Sequence, residues 1–98
     1  MIWTECRLWK TILARGNDVV RRTLENCLPD VEKILRSGGT SPLDFTLHDD
    51  QHSFRVAERI FVLAERQISL FSDNELSLLL LSAYLHDIEL HPVPKTPS

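Results

Sequence analysis

The sequence predicts an all-α fold, a compact bundle of four to five helices. Apolar residues recur three and four positions apart along most of the chain, the spacing that lines one face of a helix. Helix starts and stops punctuate those stripes, at Gly16, Asn17-Asp18, Gly38-Gly39 and Ser72-x-x-Glu75. With 98 residues, 43% of them hydrophobic, the chain can bury one modest core. Residues 1–90 therefore read as one helical domain, with N-terminal helices in 1–39 and a second set in 45–89. A Pro-rich disordered tail is expected over 91–98.

Ile2, Cys6, Trp9 and Leu13 fall at helical spacing ahead of Gly16, so a first helix is predicted from near Trp3 to Arg15. Asn17 or Asp18 can cap the next one. Its stripe is Val20, Leu24, Cys27, Leu28, Val31 and Leu35, and Gly38-Gly39 stops it. Pro29 lies inside that stripe and is expected to kink the helix or split it in two. Ser37 to Pro42 read as a turn, and Leu43 to Leu47 as an irregular approach to a third helix that starts within His48 to Gln51. Asp49 and Asp50 suit its positive end. Phe54, Ala57, Ile60, Phe61, Ala64 and Ile68 form its buried stripe. Ser72 and Glu75 make a capping box for the fourth helix, which runs into His86-Asp87. Pro92, Pro94 and Pro97 forbid helix beyond that.

Composition excludes several classes. Glu5, Arg7 and Lys10 interrupt the apolar positions that a signal peptide would need, and the longest apolar run, near Leu76 to Leu85, is too short to span a bilayer. A soluble, cytoplasmic chain with no membrane partner is the expectation. Net charge is −3, and residues 41–98 hold four basic and nine acidic side chains, the wrong balance for a nonspecific nucleic-acid surface. Cys6 and Cys27 lack the spacing of a zinc knuckle or redox pair and read as reduced core cysteines. Trp3, Trp9 and Tyr84 read as core or interface residues. No repeat and no Gly-rich phosphate loop is present.

The chemistry concentrates at His86-Asp87. A metal-binding imidazole and a carboxylate close an apolar helix, where an unpaired charge is costly. Two antiparallel helices joined by a short turn would bring His52, early in the third, beside the end of the fourth. His52, His86 and Asp87 then form a mixed nitrogen and oxygen set for one divalent ion. Manganese, iron, zinc, nickel and magnesium all remain open. His48 and His52 are four apart with Asp49 between them, the spacing of a zinc-protease helix. Aspartate is one carbon short of the glutamate used there, so His48 and Asp49 read better as groups that orient His52. His91 reads as solvated.

His52-Ser53-x-Arg55-Val56 followed by His86-Asp87-Ile88 resembles the HD superfamily of metal-dependent phosphohydrolases. The stretches Arg36-Ser37-Gly38-Gly39, Phe45-Thr46-Leu47-His48 and Ser82 to Ile88 are most similar to the HD-CE type, which typically precedes an ATPase module of the histidine-kinase and gyrase (GHKL) kind. The resemblance implies a helical HD domain with His52, His86 and Asp87 as metal ligands. It also implies hydrolysis of a phosphate ester or nucleotide by a metal-activated water. Asp87 would orient the nucleophile, and Arg55, one turn beyond His52, would reach the substrate phosphate; Arg59, two turns beyond, is open to that role or to plain solvation. Two features depart from the pattern. Glu89 stands where a glycine is usual, and no aspartate follows Asp87 to supply the last ligand. The Pro-rich tail also falls outside the likeness, which on these motifs ends at Ile88. The expectation is a domain truncated after the His-Asp motif, C-terminally incomplete and prone to self-association through exposed apolar surface. The alternative is a non-catalytic, metal-binding or partner-docking helical module linked to an ATPase domain.

Overall fold

The computed structural model describes residues 2–38 and 50–90, with side chains through Arg36 in the first stretch and through His86 in the second. The turn at Ser37 to Pro42, the approach to the third helix, His48, Asp49, His91 and the tail over 91–98 lie wholly or partly outside them. Four α-helices make up the fold: α1 (Arg7–Arg15), α2 (Asp18–Gly38), α3 (Asp50–Ala64) and α4 (Asp73–Leu90). Short 3₁₀ segments precede α1 (Trp3–Glu5) and follow α3 (Glu65–Leu70). No strand occurs among the described residues. The predicted all-α class is the observed one.

The first predicted helix is broken in two. Cys6 is extended at φ −74° and ψ 149°, and separates the 3₁₀ turn from α1. Buried Glu32 accepts the Trp3 N–H at 2.8 Å, and Glu58 accepts the Arg7 N–H at 2.7 Å. Both backbone donors thus find long-range acceptors instead of intrahelical ones. The break also changes the phase of the stripe. Trp3, Cys6, Leu8, Trp9 and Ile12 are buried, whereas Ile2 and Leu13, assigned inward from spacing, are exposed. Trp3 and Trp9 meet edge to face at 4.5 Å. Gly16 ends α1 at φ 71°, a conformation in which a side chain would be strained.

Asn17 caps α2, its Oδ1 accepting the N–H groups of Val19 and Val20 at 3.1 and 3.2 Å. The helix continues through Pro29 and is not split there. Pro29 lies on the exposed face, so the Glu25 carbonyl that loses its helical partner is open to water. The buried stripe of Val20, Leu24, Leu28, Val31 and Leu35 carries the helix past it, with Cys27 partly buried alongside.

The last capping signal appears as predicted. Ser72 Oγ accepts the Glu75 N–H at 3.1 Å, and the Glu75 carboxylate accepts the Ser72 N–H at 2.8 Å. Those contacts hold the Glu75 pKa below the usual carboxylate range. Arg15, at the end of α1, clamps the approach to α4 by donating to the carbonyls of Ile68 and Phe71 and pairing with Asp73. Helix α4 then runs through the middle of the bundle, packing on α1, α2 and α3. No helix among the described residues is long and apolar enough to cross a membrane.

Candidate functional site

The first turn of α3 lies beside the last turns of α4, so the two helices run antiparallel. Their ends bring His52 and His86 together, with ring centroids 5.9 Å apart and ring planes inclined by 51°. Two imidazoles that share one ion through nitrogen–metal bonds of about 2 Å set their centres about 4.5–5.2 Å apart at octahedral or tetrahedral angles. The observed rings stand slightly wider than that.

The backbone orients His86. Its Nδ1 lies 2.8 Å from the Ala83 carbonyl and 3.2 Å from that of Ser82, one turn back on the same helix. A carbonyl can only accept, so the proton sits on Nδ1 and the lone pair able to bind a cation is on Nε2. Metal-binding histidines are commonly fixed in this way. Both imidazoles are half-buried.

Asp87 follows His86 within α4, but its side chain lies outside the described residues, as does all of His48. Among the described residues no group of three His, Cys, Asp or Glu side chains converges. The structure thus joins His52 to His86 and leaves the third predicted ligand open. Arg55 and Arg59 are exposed on α3. A groove of about 320 Å³, lined by Leu78, Leu81, Ser82 and Leu85, opens directly beside His86.

A polar network that helical spacing did not reveal joins α2 to the start of α3: two buried carboxylates meet the exposed guanidinium of Arg36. Arg36, near the end of α2, donates to Glu32 at 3.0 Å and to Asp50 at 3.0 Å. Glu32 and Asp50 are both buried. Asp50 lies in the first turn of α3, as expected, where it faces inward and also accepts from Gln51 at 3.1 Å. The hydrogen bond to Asp50, followed by the charge of Glu32, raises the Arg36 pKa. Glu32 and Arg36 are spaced four apart, a visible signal, but that spacing alone describes a surface pair equally well. Tyr84 is fully buried near this network, and its hydroxyl has no hydrogen-bond partner among the described residues. Burial, then the nearby acidic groups Cys6, Glu32 and Asp50, push its pKa up. Burial likewise lifts the Cys6 thiol to about 11, which marks an unreactive core cysteine. Cys6 and Cys27 are both free.

No curated protein and no solved structure matches the chain. The HD-CE family model matches residues 43–96, more than half of the sequence, and that span contains His52, His86 and Asp87. It also extends past Ile88 into the Pro-rich residues, so the likeness does not end where the motif reading placed its limit. On that match, with the paired histidines where the start of α3 meets the end of α4, the chain belongs to the HD-CE family.

Proposed function

We propose that this chain is a metal-binding HD-type domain of phosphohydrolase lineage, with His52, His86 and Asp87 as the protein ligands of a divalent ion. The observation that carries the reading is the imidazole pair, 5.9 Å apart, with His86 Nδ1 engaged by the Ala83 carbonyl. Divalent metals are generally bound by HD domains. A bound ion would polarise a phosphoryl oxygen and acidify a water.

The chain's own groups have separable parts in that chemistry. His52 and His86 offer neutral nitrogen donors, and Asp87 offers an oxygen donor whose second lone pairs can accept a proton from the attacking water. Arg55, three residues beyond His52 on α3, can pair with a phosphate oxygen in a planar, two-pronged contact. The groove beside His86 has an apolar wall in Leu78, Leu81 and Leu85, against which the uncharged part of a phosphorylated small molecule or nucleotide can rest.

A second reading keeps the metal and drops the turnover. The three assigned ligands could equally hold an ion without turnover. A non-catalytic module that binds an ion and docks an ATPase domain fits that case. Elemental analysis of the protein after equilibration with Mn²⁺, Zn²⁺ or Ni²⁺ decides the shared premise. About one ion per chain is expected in the wild type, with loss in His86→Ala. Mn²⁺-dependent phosphate release from a generic ester then separates enzyme from module. Equal metal content in wild type and His86→Ala would overturn both readings.

A further inference from the structure

We propose that Arg36 is a positioning residue: by bridging Glu32 of α2 and Asp50 of α3, it sets the rotation of α3's first turn and so holds His52 against His86. The geometry follows from helix pitch. Each residue advances an α-helix by about 100°, so Asp50 and His52, two apart, project from nearly opposite sides of α3. Drawing Asp50 toward α2 turns His52 to the other side of α3, toward the end of α4. The imidazole contact at 5.9 Å is what that rotation produces.

This turn needs such a restraint. A helix start has no intrahelical acceptors for its first N–H groups and frays readily. Farther along α3, Glu58 is held by Arg7 at 2.8 Å, and the Arg7 guanidinium stacks over Phe61 at 4.7 Å. Those contacts lie two turns from His52. At the histidine end, Arg36 of α2 pairs across to Asp50 of α3 at 3.0 Å. Arg36 is itself held one turn from Glu32, whose other carboxylate oxygen accepts the Trp3 N–H. The N-terminal 3₁₀ turn, α2 and α3 are thereby linked through three side chains, two of them buried acids. Asp50 and Glu32 would each lose their cation together if Arg36 were removed. A buried carboxylate without its partner is disfavoured, and the cheapest response is for α3's first turn to rotate Asp50 toward water.

The geometric claim stands on the ion pairs; its consequence for metal binding rests on the function proposed above. The test reads both. In the wild type, a nuclear Overhauser contact between the ring protons of His52 and His86 is expected. It should be lost in Arg36→Ala while the remaining amide spectrum stays folded, and it should return in part in Arg36→Lys, which keeps the charge but not the two-pronged geometry. Where the wild type binds Mn²⁺ or Zn²⁺, Arg36→Ala should weaken the affinity by about tenfold. A merely structural contribution would lower the melting temperature and leave the ring contact intact. An unchanged ring contact in folded Arg36→Ala overturns the proposal. Should that variant fail to fold, Arg36→Gln, which keeps a hydrogen-bond donor but removes the charge and the reach to both acids, takes its place under the same criterion. If the wild type binds no metal, the proposed function falls, and the ring contact alone still decides the role of Arg36.

Discussion

Helices α2 and α4 have similar lengths, 21 and 18 residues, and are built on opposite plans. In α2 one stripe is buried and the opposite side carries Arg22, Glu25, Asp30 and Lys33 in water. Helix α4 has no charged residue from Leu76 to Leu85, and its leucines face several directions at once. The difference follows from position. Each of α1, α2 and α3 packs more extensively on α4 than on the other two, so α2 needs one apolar side while α4 is met from several directions. Even so, Leu76, Leu80, Ala83 and Tyr84 are fully buried while Leu78 remains 61% exposed. Apolar composition all round α4 therefore does not report which side is inside, and its outward side is the wall of the groove beside His86.

The contrast within α4 is broken most directly by substitution. Leu80→Ala should cost about 3 kcal/mol in urea unfolding, the transfer and cavity cost of a buried leucine. Leu78→Ala should cost less than about 0.5 kcal/mol, as expected at an exposed site. Equal costs would mean that the outward side is covered in solution, and a concentration-dependent midpoint would then identify a second copy as the cover.

A smaller effect sharpens the comparison where the two helices begin. Asn17 caps α2, and its side-chain amide also donates to Asp73 at the start of α4 at 3.1 Å. Asn17→Ala should destabilise the fold by about 1 kcal/mol. Asn17→Ser, which keeps the cap but loses the reach to Asp73, should recover most of that cost if capping outweighs the link to Asp73. Little recovery would shift the weight to the link between helices.

The smallest effect is the pH response of the box that starts α4. The Glu75 pKa is depressed by its hydrogen bonds to Ser72, so the folded state binds that proton less readily than the unfolded chain. Its contribution is fully present above the ordinary carboxylate pKa and fades as pH falls through the depressed value. Glu75→Gln should therefore flatten the acid limb of the stability curve slightly and leave the neutral limb parallel. An unchanged acid limb would show that the box adds nothing measurable.

Much of the architecture is legible before any coordinates. Local signals mark the starts of α2 and α4; the extended run up to α1 has none, because Cys6 carries no capping side chain that bonds the helix. The pairing of His52 with His86 was also foreseeable, since it needs only two antiparallel helices of comparable length. Pro29 misleads because the local rule omits the buried stripe that carries α2 past it. Asp50 sits in the first turn of α3, as its position implied, and only the proximity of Arg36, fourteen positions earlier, makes its inward orientation favourable.

Amino-acid order alone determined the helical class, the boundaries set by glycine, asparagine and serine, and the two histidines as the chemically distinctive groups. Those properties depend on neighbours within about one helical turn, and a linear chain displays them directly. Tertiary packing decided which way α4 faces, where the first stripe changes phase at Cys6, and how Glu32, Arg36 and Asp50 come together between α2 and α3. Each of those depends on groups far apart in sequence competing for the same buried volume and the same hydrogen bonds, and that competition is settled only once the chain has closed on itself.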